Sequence, residues 1–306
     1  MARTARIKQT GVGVAHYHII SRANDKRFLF QESAVKNDFV DAMLRVAAFS
    51  GVVIEAYAVM SNHFHIVVRV TRLNEIVPEE EVLRRVGILK GEKARQKLAA
   101  KWDTLRTAGA NDVVEKELER LRARMNEISE MVKTLKETFD RMYRLRHNHY
   151  GTIWSGRFTS TLIESGSYLS RCLKYVFFNP VRAGIVSQAK NYAWCWCMGE
   201  KLKDVVSNRG NEALASSENM ATEVLAPIDF MNAQTGGTAH EWWMKRIFQM
   251  SNGKVFGSAL FVMNVVSQLG HLFSARRMKP HSVSELGFST HGWRLAATTK
   301  TQLSAC

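Results

Sequence analysis

The sequence is poor in cysteine and has no long apolar run. Its 306 residues include only four cysteines, and none forms the paired Cys-x-x-Cys spacing of a zinc or redox site. Without a disulfide framework, we expect a reducing, cytoplasmic compartment. No stretch of about 18 apolar residues is available to span a membrane, and the N-terminal segment MARTARIKQTGVG lacks the apolar core of a signal peptide. These shortages argue against secreted and membrane-embedded classes.

Acidic residues are also scarce. Lysine and arginine total 43 against 28 acidic residues, which gives a net charge of +15. Residues 148–210 hold eight basic and three acidic residues, so this segment is cleanly positive. A polyanion is the expected partner, and nucleic acid is the leading candidate. Charge alone fits a generally basic soluble protein equally well, so the motifs must decide.

Short segments rich in β-branched residues flank amphipathic ones. The predicted strands are residues 14–21, 52–59, 63–70 and 158–164. The predicted helices of the same region are residues 33–50 and 167–178. Gly51 is expected to end the first helix, and Asn179-Pro180 to interrupt the second.

Residues 79–147 differ in character. Apolar residues recur there at alternating three- and four-residue steps: Leu118, Leu121, Met125, Ile128, Val132, Leu135, Phe139 and Met142. This a/d seam predicts one long helix. A preceding helix over about 79–102 would fold back on it, giving an inserted antiparallel helical hairpin. A dimerising coiled coil is the alternative, and the oligomeric state, monomer or dimer, stays open.

Three His-x-His triplets are candidate metal sites. Alternate residues of a strand project from one face, so both histidines of a triplet can ligate one ion. His63 and His65 fit best, because an apolar residue separates them and a strand follows. His16 and His18 also lie on a predicted strand and are a genuine rival. His147 and His149 follow a helix with a polar residue between them, which favours a loop.

Two further segments carry candidate functional residues. Tyr175 and Asn179 are four residues apart, so they share one face if the helix reaches Asn179; ordinary packing and helix termination explain them as well. Residues 151–158, GTIWSGRF, combine glycines, aromatics and Arg157. Stacking bases on aromatics while cations follow phosphates is typical of single-strand binding, but a plain turn with a packed Trp154 fits the same letters.

Four segments, taken in order, resemble motifs of the HUH-type single-tyrosine transposases. Residues 18–24 resemble H-x-x-x-R-G-N, with Ala23 in place of the glycine, and residues 60–67 resemble the M-x-N-H-x-H strand. Residues 151–158 resemble G-x-x-W-x-x-R-F, and residues 175–184 are similar to the Y-x-x-x-N-P-V-R-A-G helix that carries the nucleophile. The most similar branch is the REP-associated tyrosine transposases, which act at repetitive extragenic palindromes.

The resemblance implies an α+β fold, a ferredoxin-like antiparallel sheet with packed helices. On this basis residues 1–78 and 147–200 are expected to form the nuclease domain, and residues 79–146 the inserted hairpin. Residues 201–306 would be a mostly helical extension that assists DNA binding. Ala23, the departure from the motif, puts the conformation of its loop in doubt.

The resemblance also implies a site and a reaction. Tyr175 would be the nucleophile, and His63, His65 and Asn179 would hold Mg²⁺ or Mn²⁺. The residues expected to bind single-stranded or hairpin DNA are Arg22, Asn24, Trp154, Arg157 and Arg182. The product would be a 5′-phosphotyrosine and a free 3′-hydroxyl, and no nucleotide cofactor is expected. The alternative is a domesticated regulator that binds hairpins without cutting them.

Overall fold

The computed structural model describes residues 7–8, 13–72, 74–198, 253–269, 278–283 and 290–295. The described strands are β1 (Gly13–Arg22), β2 (Val53–Val59), β3 (His63–Arg72), β4 (Thr159–Ile163), β5 (Cys195–Cys197), β6 (Gly253–Gly257), β7 (Met278–Val283) and β8 (Thr290–Leu295). The described helices are α1 (Ser33–Ser50), α2 (Glu79–Lys90), α3 (Glu92–Thr107), α4 (Asn111–Arg122), α5 (Ile128–His147), α6 (Ser167–Phe177), α7 (Asn179–Arg182) and α8 (Ala259–Leu269). None of these helices is long and apolar enough to cross a membrane.

The strands form one sheet in the order β5-β2-β3-β1-β4-β6-β8-β7. Its first four strands along the chain lie in the order β4-β1-β3-β2, and each neighbouring pair is antiparallel. Helix α1 joins β1 to β2, and α5 precedes β4. This is the ferredoxin-like arrangement, so the expected fold class is confirmed. Gly51 ends α1 with φ 66°, as its position predicted.

The two faces of the sheet are covered by different helices. Alternate residues of β1 and β3, such as Ile19 and Ile66, are fully buried in the core that contains α1 and α5. The residues between them, such as Val67, belong to a second core with α6 and β5. Since side chains alternate along a strand, all the histidines of β1 and β3 fall on the α6 side.

Helix α5 packs as part of the sheet domain. Its residues Met131, Leu135 and Phe139 are buried in the same core as α1. The predicted single long helix is in fact two, because the chain turns between α4 and α5, where Asn126 has φ 52°. Helices α2, α3 and α4 form a separate small core. It includes Trp102 of α3, and Phe49 of α1 also packs into it. We therefore propose that an inserted unit, if separable, ends before α5 rather than at residue 146.

The described part of the C-terminal region extends the sheet. Strand β6 pairs in parallel with β4, and β8 and β7 follow in antiparallel order. The sequence analysis expected a mostly helical extension. The described residues of this region form three strands and one helix, α8, so that expectation is wrong for them. Glu164, at the end of β4, accepts hydrogen bonds from the backbone N–H and the hydroxyl of Ser258 just before α8. Residues 199–252, which make up much of the expected extension, lie outside the described residues.

Candidate active site

Strands β1 and β3 bring three of their four histidines and an arginine together on the α6 face of the sheet. Arg22 lies directly across from His63, and His18 lies across from Val67, two residues beyond His65. The rings of His63 and His65 are 5.0 Å apart between centroids. Nε2 of His18 is 2.9 Å from Nδ1 of His65, within hydrogen-bonding distance. The H-x-H pair chosen from the sequence therefore sits in a cluster whose third member is His18.

His16, the other histidine of β1, belongs to a separate group. Its Nδ1 lies 2.8 Å from Oε2 of Glu55, a buried residue of β2. Nε of Arg69 is 3.6 Å from the other oxygen of the same carboxylate. His16 and His18 thus have different partners, His16 a carboxylate and His18 a histidine. The rival triplet does not act as a pair in this structure.

Helix α6 brings Tyr175 onto the histidines. The tyrosine ring meets the rings of His18 and His65 edge-on, at centroid distances of 5.7 and 5.6 Å. The guanidinium of Arg182 lies 4.3 Å above the same ring. Tyr168, seven residues earlier on α6, packs instead on Phe256 of β6, 5.3 Å away. Of the two tyrosines on this helix, Tyr175 is the one in contact with the histidines.

The three clustered histidines are held neutral. Burial, helped by the nearby positive charge of Arg182, lowers the pKa of His18 to about 3. Burial, with Arg22 and Arg182 nearby, lowers the pKa of His63 to about 4. The pKa of His65 is lowered well below its usual range, again chiefly by burial. Each of these rings therefore has one unprotonated nitrogen near pH 7, and the neutral ring is the form in which imidazole binds metal.

Asn179 lies one turn beyond Tyr175, at the start of α7. It is buried, and its amide Nδ2 has no hydrogen-bond partner. A half-turn of the terminal amide exchanges its nitrogen and oxygen, which are assigned only from their neighbours. A buried amide with spare capacity suits a ligand oxygen. Among the described residues, however, no group of three His, Cys, Asp or Glu side chains is arranged to hold a metal ion.

Trp154 does not offer its ring to a base. It is buried, and it packs against Phe64 and Phe139 with centroids 5.7 Å away in both cases, and more loosely against Phe30 and Phe39. The base-stacking role expected from the sequence is therefore corrected to packing. Its segment instead fixes the end of β1. Ala23 and Trp154 form a β-bridge, and the N–H of Ser155 donates to the carbonyl of Arg22.

The loop after β1 carries the remaining candidates. Arg22 is exposed and Asn24 is half-buried, and the N–H of Asn24 links this loop to the segment around Trp154 by donating to the carbonyl of Ile153. Ala23 has φ −66°, which any residue adopts, so alanine in place of glycine causes no strain there. The carbonyl of Lys26 accepts a hydrogen bond from the side chain of Asn62, next to His63. Arg157 is exposed, beyond Trp154.

The sequence analysis did not place His18 in the same cluster as His63 and His65, and it did not single out Phe28. His18 was grouped with His16, although the two-residue register offset to His65 brings it into the cluster. Phe28, in the loop anchored to Asn62, exposes 62% of its surface beside Lys26 and Arg27. An aromatic next to two cations was the available signal for Phe28.

Comparisons with known proteins agree with the sequence resemblance. Residues 12–110 match the family model described as "Transposase IS200 like". This segment carries both strands of the histidine cluster but ends before Tyr175. The search of curated proteins gives no match.

Two solved structures are similar at low identity. One is a REP-associated tyrosine transposase bound to a REP hairpin, at 12% identity and a TM-score of 0.41, with 74% of this chain and all of that chain covered. The other is a protein of Deinococcus radiodurans R1 described as a transposase, at 14% identity and a TM-score of 0.26. The matched region covers 57% of this chain and 97% of that protein.

Proposed function

We propose that this chain, whose residues 12–110 match the IS200-like transposase family model, belongs to that family and cuts and transfers single-stranded DNA with Tyr175 as its nucleophile. The observation that carries the proposal is the contact of the Tyr175 ring with both His18 and His65. Tyr175 lies outside the matched segment, on an element that the chain reaches only after four intervening helices. Its return to the histidine pair supports a shared site.

The proposed step is a transesterification. The phenolic oxygen of Tyr175 attacks a backbone phosphorus and releases its proton, while the bond from phosphorus to the 3′-oxygen breaks and that oxygen takes up a proton. The products are a 5′-phosphotyrosine and a free 3′-hydroxyl. Attack by another 3′-hydroxyl reverses the step and joins strands, with no ATP consumed because the phosphodiester energy is kept in the tyrosine ester.

His63, His65 and Asn179 are the residues that would hold Mg²⁺ or Mn²⁺. Neutral imidazoles and a buried amide with spare hydrogen-bonding capacity fit this role, and the incomplete protein ligand set leaves positions for phosphate and water oxygens. When bound, the ion supplies positive charge to the scissile phosphate. Arg182, beside Tyr175, supplies fixed positive charge at the same place.

We propose that DNA approaches along the exposed end of β1. Arg22, Asn24, Arg157 and Arg182 would contact phosphates, in keeping with the positive charge of the chain. Phe28 replaces Trp154 as the candidate base-stacking residue, because it is exposed and flanked by Lys26 and Arg27. Hairpin DNA of the repetitive palindromic kind is the proposed substrate, on the strength of the four sequence motifs.

Replacing Tyr175 by phenylalanine tests the assignment. This change removes one oxygen from a buried ring, so the variant should fold and bind DNA. Incubated with an internally labelled hairpin in Mn²⁺, the unaltered protein should give an SDS-stable protein–DNA adduct, and peptide mapping should place it on Tyr175. The Tyr175→Phe variant should give none.

Tyr168→Phe is the matched control, since Tyr168 shares α6 but packs on Phe256. It should form the adduct at the normal rate. Loss of the adduct only in Tyr168→Phe would move the nucleophile. If the unaltered protein binds the hairpin yet forms no adduct with any palindrome tried, it acts as a non-cutting regulator and the proposal is wrong.

A further inference from the structure

His18 and His65 share one hydrogen bond through their ring nitrogens. Nε2 of His18 is 2.9 Å from Nδ1 of His65, and the two rings are nearly parallel, with an interplanar angle of 15°. Both residues are buried, with 1% and 2% of their surfaces exposed. The remaining nitrogen of His18, Nδ1, has no hydrogen-bond partner. Apart from the edge contact with Tyr175, the interaction of the His18 ring within the described part of the chain is therefore its hydrogen bond with His65.

A neutral imidazole has a single N–H, so one of the two rings must donate in this bond. If His18 donates from Nε2, then Nδ1 of His65 accepts, and the proton of His65 sits on Nε2. In that state His65 has no free lone pair to offer a metal. If His65 donates from Nδ1, its Nε2 is free to ligate and Nε2 of His18 is the acceptor. The hydrogen bond thus couples the tautomer of one ring to the ligand capacity of the other.

We infer that His18 is a positioning residue, which accepts the Nδ1 proton of His65 and so presents Nε2 of His65 to the metal ion. A metal-bound histidine commonly donates its second N–H to an acceptor that fixes its orientation, usually a carboxylate or carbonyl. Here the acceptor is another histidine from the neighbouring strand. The inference rests on the proposed metal role of His65, but it assigns a separate function to a residue outside the H-x-H pair.

The charges around the cluster and the contact of His63 with Asn62 favour this direction of the hydrogen bond. Arg22 and Arg182 are the charged groups that act on this cluster, and neither can accept a proton from His65. His63 uses its own Nδ1 in a 2.7 Å contact with the side-chain oxygen of Asn62. An oxygen can only accept, so the proton of His63 also lies on Nδ1. His63 and His65 would thus expose the same nitrogen, Nε2, to a common ion.

Binding of Mn²⁺ to the full-length protein without DNA tests the inference. Electron paramagnetic resonance counts free Mn²⁺ directly and needs no cleavage activity. The His18→Leu variant lacks the acceptor and fills its place with an apolar side chain. Its affinity for Mn²⁺ should be lower by about 10- to 100-fold. In His18→Gln the side-chain oxygen can reach the position of Nε2, so affinity should return to within about threefold of the unaltered protein.

The controls separate this inference from the function on which it rests. His16→Gln alters a buried histidine on the same face of β1 that bonds to Glu55, and it should leave Mn²⁺ affinity unchanged. His63→Ala should abolish binding. If the unaltered protein binds no Mn²⁺, the proposed metal role fails; if it binds and His18→Leu binds equally well, only the role of His18 fails. Equal losses in the Leu and Gln variants would assign His18 to packing and overturn the inference.

The unaltered protein offers an independent measurement should His18→Leu not fold. Long-range ¹H–¹⁵N correlation spectra of the metal-free protein distinguish the two neutral tautomers of each histidine. His65 should carry its proton on Nδ1, and His18 should show an unprotonated Nε2. A proton on Nε2 of His65 would reverse the hydrogen bond and refute the inference without any substitution.

Discussion

The position of Arg182 predicts an effect on the rate of cleavage in addition to an effect on DNA affinity. Its guanidinium lies 4.3 Å above the ring of Tyr175, where it can neutralise charge on an attacked phosphate. Losing a charged contact of this kind costs about 1.5–3 kcal/mol. We therefore expect Arg182→Ala to slow adduct formation at saturating DNA roughly 10- to 100-fold. Single-turnover gels with labelled hairpin measure this rate.

Arg157→Ala is the matched control for that experiment. It removes the same charge from an exposed position beyond Trp154, so it should weaken DNA binding while the rate at saturation stays near normal. Equal effects of the two variants on the saturated rate would mean that Arg182 has no special relation to Tyr175. Arg182→Lys keeps the charge without the planar group and should recover part of the rate.

At the scale of single residues, the sequence predicted which side chains share a face better than it predicted the partners of those side chains. The H-x-H spacing predicted that His63 and His65 share a face, and β3 places them so. It could not distinguish His16 from His18, because their difference lies in what β2 and β3 present opposite each of them. Trp154 was ambiguous for the same reason. Its burial depends on Phe39 from α1 and Phe139 from α5, which no local pattern encodes.

Among the elements, α5 was the hardest to assign from sequence. The apolar seam continues in step through Met125 and Ile128, so periodicity alone predicts one helix. The break comes instead from the backbone at Asn126, and Glu127 then begins α5 by accepting the N–H of Ser129. The two helices then join different cores. Helix α5 packs beside α1 on the sheet, while α4 packs on α2 and α3.

The three helices α2, α3 and α4 should be removable. Arg72, at the end of β3, lies 3.7 Å from the carboxylate of Glu127, just before α5, so the two ends of this unit are adjacent. Replacing residues 77–126 with a short Gly/Ser linker should leave a folded protein with measurable metal-dependent cleavage. Phe49 of α1 would lose its apolar partners, so Phe49→Ser should accompany the deletion. Circular dichroism and the adduct assay are the measurements.

A longer deletion, of residues 77–147, provides the contrast. It removes Met131, Leu135 and Phe139 from the main core, and large apolar losses of this kind cost about 2–5 kcal/mol for each residue. This protein should not fold. If the shorter deletion folds but cuts no DNA, helices α2–α4 belong to the DNA-binding surface and the proposed boundary is wrong.

For the whole molecule, the expected signature is salt-dependent binding of single strands and hairpins. Affinity for single strands falls with salt with a logarithmic slope of about −0.7 for each neutralised phosphate. Changing Arg22, Arg157 and Arg182 together to glutamine should therefore make the slope shallower by about two. Fluorescence anisotropy over a series of salt concentrations measures the slope, and plain duplex should bind more weakly than hairpin at each concentration.

A control with the same loss of charge tests whether the surface or the net charge is responsible. Lys93, Lys97 and Arg120 are exposed on α3 and α4, and their joint change to glutamine should leave the slope nearly unaltered. Phe28→Ala separates stacking from charge. It should weaken binding at every salt concentration, because base stacking contributes about 1–3 kcal/mol, and it should leave the slope unchanged. Equal slope changes in the two triple variants, or equal affinity for duplex and hairpin, would place DNA elsewhere than at the end of β1.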